Sequence, residues 1–234
     1  MTLSFRVGGG RPPPSHELLL IEAGGDAWYL TGMPWPGQPP FDEIGAYRGA
    51  LADGGERLRG LARDVVAAEA APPGPADAGF ERLGIDADEV SWNRETRPAP
   101  MRRFVDAARA EIAALRRHPH AALHGELVEG PGVLLVNRGT HPLALAGGEL
   151  RAGRGRADRP PSPLRLLPRP AASIALPAAL APGEPLGLEL PDAGPVEEEG
   201  FATPYALVHV RWRSPIVDED EWVDGWLVAG SGRA

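Results

Sequence analysis

Three histidines and one glutamate lie close together in the middle of the chain, at His118, His120, His124 and Glu126. If the segment at 119–128 forms one strand, these residues share parity and project from the same face. Imidazole nitrogens and carboxylate oxygens are ligands that Zn²⁺ or Fe²⁺ accepts in proteins. The spacing therefore predicts a candidate metal site. A solvated polar face beginning near a helix end explains the same residues without a metal.

The order His-x-His followed by Glu resembles the first metal-binding motif of the cupin family. This sequence departs from that motif, because five residues separate His120 from Glu126 and the cupin spacing is shorter. No second motif supplies a further ligand, although His141 or His209 could join the cluster. One functional hypothesis is therefore a metal-dependent enzyme or metal-binding sensor with Zn or Fe as its cofactor.

Composition excludes several other kinds of chemistry. The chain of 234 residues has no cysteine and no lysine, so thiolate nucleophiles, disulfides, Schiff bases and a P-loop are excluded. No serine lies in a G-x-S-x-G motif. A net charge of −8 argues against nonspecific nucleic-acid binding. Because no signal peptide or membrane-spanning run is visible, we expect a cytoplasmic protein that does not enter a membrane.

The first half of the chain mixes strand and helix patterns. Alternating apolar residues at Leu3, Phe5 and Val7 predict a half-buried strand, and two further strands follow before residue 33. Apolar residues at helical spacing predict helices over 42–52, 56–71 and 100–117. These elements predict an α+β domain over residues 1–119, a small mixed sheet with two or three helices.

The second half, residues 120–234, shows about seven or eight strand patterns with turn signals roughly every 8–12 residues. The clearest runs from Tyr205 to Arg213, with Ala206, Val208, Val210 and Trp212 alternating with polar or longer residues. Over roughly residues 121–230 the arrangement resembles immunoglobulin-like modules, although their usual disulfide cannot form here. The resemblance implies a C-terminal antiparallel β-sandwich domain and no activity.

Tryptophan and arginine residues are the candidates for contact with a partner protein. Trp35 lies in a proline-rich loop, and Arg151, Arg154 and Arg156 lie in what the sequence predicts to be an arginine-rich loop. Trp222 and Trp226 share a strand face, which would suit carbohydrate stacking if both were exposed. The favoured hypothesis is a non-catalytic protein-interaction or structural accessory protein, with a protein partner and no cofactor.

Overall fold

The computed structural model describes eight stretches of the chain. They are residues 2–9, 15–33, 42–68, 79–129, 132–155, 172–191, 203–216 and 222–230. Trp35 and Arg156, two of the predicted interface residues, lie outside them.

The described residues are mostly strand, with two α-helices and a short 3-10 helix at Arg94–Thr96. Neither of these α-helices is long and apolar enough to cross a membrane. The strands are β1 (Leu3–Gly9), β2 (Ser15–Ile21), β3 (Asp26–Met33), β4 (Glu43–Ala50), β5 (Phe80–Ile85), β6 (Asp88–Asn93), β7 (Pro119–Val128), β8 (Gly132–Asn137), β9 (Leu143–Gly155), β10 (Ala172–Ile174), β11 (Ala179–Leu180), β12 (Pro185–Glu189), β13 (Thr203–Arg213) and β14 (Trp222–Gly230), and the helices are α1 (Glu56–Val66) and α2 (Ala99–Leu115).

The predicted fold class is wrong. The described strands form one nine-stranded sheet, in the order β12-β8-β7-β4-β3-β2-β1-β5-β6, and one five-stranded sheet, in the order β10-β9-β13-β14 with β11 beside β9. The pairings are antiparallel. The chain is therefore a β-rich protein with large antiparallel sheets, rather than a small mixed sheet followed by a separate immunoglobulin-like sandwich.

One predicted helix is a strand. The residues at 42–52 have apolar side chains at helical spacing, but they form β4, in which Ile44 to Tyr47 are all buried. A strand that is buried on both faces loses the alternation that identifies it in a sequence. Gly45 has a φ of 146°, which no α-helix contains, and a methyl group built on it would lie 2.6 Å from the Ala122 Cα atom.

Contacts divide the chain into two compact units, Met1–Thr31 with Ala46–Pro119 and Gly32–Gly45 with His120–Ala234. In the first unit, α2 forms as its apolar stripe predicts, and its Met101, Phe104, Ala108 and Ile112 side chains are buried. The Phe104 ring meets Phe5 of β1 edge to face at 5.2 Å. This unit therefore has its own aromatic and aliphatic core.

In the second unit, two layers of strand pack closely through glycines. A methyl group built on Gly125 of β7 would lie 2.5 Å from the Leu227 Cδ1 atom of β14. One on Gly225 of β14 would overlap Ile44 and lie 3.0 Å from the Trp212 ring. Glycine at these positions lets the backbones approach and leaves room for the large side chains beside them.

Asn137, at the end of β8, holds three segments of the second unit together. Its buried side-chain oxygen accepts from the backbone N–H groups of Ala122 (3.3 Å) and Gly139 (2.9 Å). Its amide nitrogen donates to the carbonyl oxygens of His141 (2.8 Å) and Leu180 (2.9 Å). Oxygen and nitrogen each make two bonds, so the side chain is fully satisfied in the core.

We expect Asn137→Ala to lower the free energy of unfolding by roughly 2 to 4 kcal/mol, because buried backbone groups in three segments lose their partner. Urea denaturation monitored by tryptophan fluorescence measures the change. Thr140→Ala, in the same turn but exposed, is the control and should shift stability by less than about 0.5 kcal/mol. Equal effects of the two substitutions would show that Asn137 does not hold these segments.

Candidate functional site

The outer face of the five-stranded sheet carries a concentration of aromatic and charged side chains. Residues directly opposite each other in an antiparallel pair project from the same face, so the register assigns its members. We call it the tryptophan face, and it consists of Glu149, Arg151, Leu207, His209, Arg211, Arg213, Trp222, Asp224, Trp226 and Val228.

Each tryptophan of this face is paired with a side chain on β13. The His209 ring stacks on the Trp226 ring with centroids 4.3 Å apart, and these residues are direct cross-strand partners. The guanidinium carbon of Arg213 lies 4.9 Å from the centre of the Trp222 ring, again across the strand pair. Such stacked and cation–π pairs hold the rings in fixed orientations.

A hydrogen bond fixes the histidine of this face from a second direction. The Nε2 atom of His209 lies 2.9 Å from the Asp224 Oδ1 atom, and the Asp224 side chain is exposed. Both tryptophans are half-buried, and Trp226 packs against a buried cluster of Tyr205, Leu207 and Val228. The face therefore has a buried apolar base and an accessible polar and aromatic surface.

The opposite side of β13 is core. Ala206, Val208, Val210 and Trp212 are almost completely buried, which confirms the alternation predicted from the sequence. Because one face of β13 is packed in the core, the side chains on its other face project from a rigid backbone.

Arg151 is part of the tryptophan face. The sequence predicts a loop from this residue onward, but β9 continues to Gly155, and Arg151 lies opposite Leu207 of β13. Its guanidinium group is 3.2 Å from the Glu149 carboxylate. Arg154 lies in the same strand, and its side chain is outside the described part of the structure.

The histidines predicted as metal ligands have separate surroundings. His120 stacks on His141, with ring centroids 3.8 Å apart. His124, only 6% exposed, has its Nδ1 atom 3.6 Å from Asp42 and its Nε2 atom 4.0 Å from Glu126. His118 lies at the end of α2, where its backbone N–H donates to the Leu115 carbonyl at 2.8 Å.

This placement follows from strand geometry. Residues four apart on a strand are about 13 Å apart, because each residue advances the chain by about 3.3 Å. Common parity therefore places His120 and His124 on one face without bringing their rings together. Among the described residues, no group of three or more His, Asp or Glu side chains is arranged to hold a metal ion.

Two buried glutamates in the first unit were missed by sequence reasoning. Glu81 is completely buried, and its carboxylate accepts a hydrogen bond from Trp92 Nε1 at 2.6 Å. Two nitrogens of the Arg97 guanidinium group donate to the same carboxylate. Glu17 accepts from the Tyr29 hydroxyl at 2.7 Å and pairs with Arg109 at the same distance. Arg109 lies 92 residues from Glu17, and the other partners lie 11 to 16 residues from their glutamate, so no short motif marks these contacts.

Burial shifts the pKa of two groups beside these glutamates, Tyr29 and Arg94. Burial raises the pKa of the Tyr29 hydroxyl, and the Glu17 charge acts in the same direction. Burial also lowers the pKa of the Arg94 guanidinium to about 10, although Glu81 opposes the change. Both groups therefore keep their ordinary protonation states in the cell.

Comparison with known proteins does not assign the chain to a family. The chain matches no protein-family model, no curated protein and no solved structure.

The environment of His124 makes stability depend on pH. Burial lowers the pKa of His124 below its ordinary value of 6.5, and Arg138 adds to this, although Asp42, Glu43 and Glu126 oppose it. Below pH 6.5 the unfolded chain therefore binds the proton more readily than the folded chain. The stability contributed by neutral His124 is present above that pH and is lost as the pH falls through the folded pKa.

We expect the free energy of unfolding to fall more steeply between about pH 7 and pH 5 in the native protein than in His124→Gln, which cannot take up this proton. Denaturant titrations at several pH values measure both slopes. His141→Gln, at an exposed position, is the matched control and should keep the native slope. The explanation fails if His124→Gln keeps the native slope as well.

Proposed function

We propose that this chain is a non-catalytic binding protein that recognises a partner protein through the tryptophan face. The observation that carries the proposal is the pair of half-buried tryptophans, Trp222 and Trp226, which lie on the same face of β14 and are each held by a side chain of β13, Arg213 and His209 respectively.

The residue types of this face are those that dominate binding energy in protein interfaces. Tryptophan and arginine are enriched among the residues whose truncation costs most, and they act best on a surface that is already ordered. The stacking of His209 and Arg213 supplies that order, because rings that are already oriented lose little conformational freedom on binding.

Ring burial, rather than net charge, is the expected source of affinity. Arg211 and Arg213 are exposed on the face, where Glu149 and Asp224 partly offset their charge. The net charge of the whole chain is −8, which does not favour a polyanionic ligand. A partner that presents an apolar or aromatic side chain to the indole rings, with polar groups at the rim, fits best.

The contacts of His209 and Arg213 with the two indole rings also argue against carbohydrate binding. A sugar ring needs a free indole face, whereas Trp226 has His209 on one side and a buried apolar cluster against it, and Trp222 has Arg213 over its ring. The accessible parts of the tryptophans suit contact with protein side chains. We place this interaction in the cytoplasm, since a chain without cysteine needs no oxidising compartment.

The test is a quantitative affinity capture from the soluble extract of the host cell. Trp222→Ala combined with Arg213→Ala should reduce the capture of at least one protein roughly 30-fold, as the loss of about 2 kcal/mol at an interface predicts. The matched control is Arg102→Ala with Arg103→Ala, two exposed positions on α2, and it should capture that protein as the native chain does.

Melting temperatures of all three proteins are compared first, so that a folding defect is not mistaken for a binding defect. If every protein that the native chain captures is captured equally by the Trp222→Ala, Arg213→Ala variant, the proposed interface is wrong.

A further inference from the structure

We propose that Arg211 binds a single carboxylate of the partner protein, between two apolar or aromatic side chains of the partner that meet Trp222 and Trp226. The partner contributes an extended segment, in which an acidic residue lies two positions from an apolar residue on each side. This inference rests on the proposed function and adds to it the chemistry of the partner.

The accessible part of the tryptophan face lies around Arg211. Towards one end of the face Leu207 and Val228 are buried, whereas Arg211, Arg213 and Asp224 are exposed. The accessible part therefore carries two guanidinium groups against one carboxylate. One carboxylate from a partner complements this local charge, whereas a run of carboxylates would be repelled by the net charge of −8 of the whole chain.

Arg211 differs from the other two arginines of the face. Arg151 lies 3.2 Å from the Glu149 carboxylate, and the guanidinium group of Arg213 lies over the Trp222 ring. The Arg211 side chain makes no hydrogen bond, ion pair or ring contact with any of the described residues. Its N–H donors are therefore available to a partner, and a guanidinium group binds a carboxylate through two parallel hydrogen bonds.

Asp224 is the carboxylate that the register places beside Arg211, and it is engaged by a different residue. The two residues are direct cross-strand partners. The Asp224 Oδ1 atom, however, lies 2.9 Å from His209 Nε2. Because this aspartate is held by His209, the guanidinium group of Arg211 is left for a carboxylate from outside the chain.

The sheet is irregular at the position of Arg211. The register between β9 and β13 shifts between Val210 and Trp212, so that two residues of β9, at 146–147, lie opposite Arg211 alone. Gly147 has a φ of 65°, the left-handed conformation that glycine adopts without strain. Bulges of this kind are frequent beside functional sites, because they change the direction of a side chain. The bulge thus interrupts the regular sheet at the strand position that holds the unengaged arginine.

The spacing of the face determines the pattern expected in the partner. Trp226 lies opposite His209 and Trp222 lies opposite Arg213, so one tryptophan lies on each side of Arg211 along the strand direction. Residues on one face of a strand repeat about every 6.6 Å, and an extended partner segment has the same repeat. An acidic residue bound to Arg211 therefore places the residues two positions before and after it over the two tryptophans.

The experiment is a selection of phage-displayed random nonapeptides on the native protein, followed by affinity measurements with synthetic peptides. We expect the selected sequences to share an acidic residue two positions from an apolar or aromatic residue on each side. Arg211→Ala should weaken their binding at least about tenfold, because a charge-assisted pair of hydrogen bonds is lost. Arg102→Ala, at an exposed position on α2, is the matched control and should bind the peptides as the native protein does.

A double-mutant cycle distinguishes recognition by Arg211 from a structural effect of its replacement. Replacing the acidic residue of the peptide by its amide should weaken binding about tenfold with the native protein, but less than about twofold with Arg211→Ala. Selection on Arg211→Glu should return peptides with arginine or lysine at the central position. A purely structural role of Arg211 would produce neither result.

Each of three results would overturn the inference. Peptides that need Trp222 but bind Arg211→Ala as tightly as the native protein would keep the tryptophan face as the interface and remove the carboxylate from it. Peptides that bind equally to the Trp222→Ala, Arg213→Ala variant would lie elsewhere on the chain. Failure to select any peptide would show that the partner does not present a short extended segment. In the last two cases the affinity capture from the host cell still decides whether the tryptophan face binds a protein.

Discussion

The buried amide of Asn137 is the interaction on which the second unit depends most. It joins β7, the turn after β8 and the segment at Leu180, which lies 43 residues further along the chain. The backbone carbonyl of the same residue accepts from Gly183 at 2.8 Å. The Asn137 side chain thus makes hydrogen bonds to four backbone groups. These bonds hold the turn after β8 against β7 and place His141 beside His120.

The five-stranded sheet shows a related constraint, because the packing of its buried residues sets the positions of the side chains on its other face. The apolar residues of β13, ending in Trp212, are locked against the second layer by close contacts at Gly225. The alternate residues of the same strand are then held at the spacing of the strand, where His209 and Arg213 meet Trp226 and Trp222. A rigid aromatic surface follows from the packing beneath it.

The periodicity of apolar residues correctly predicted the elements that have one buried face and one exposed face. It failed for an element that is buried on both faces. The stripe of α2 and the alternation of β13 were correct, because each separates core from solvent. The segment that forms β4 was assigned to a helix, since its apolar residues face core on both sides. The pairing of β8 with β12 and of β4 within the large sheet depends on contacts distant in sequence, so the fold class was wrong. For the same reason the sequence grouped His120 with His124 rather than with His141.

The central claim is that the tryptophan face is covered by a partner protein in the cell. Hydroxyl-radical footprinting, performed on purified protein and in the living host cell, tests it most directly. We predict that Trp222 and Trp226 are oxidised several-fold more slowly in the cell, while the exposed Phe80 reacts at the same rate in both settings. Equal oxidation of the two tryptophans in the cell and in solution would contradict the claim.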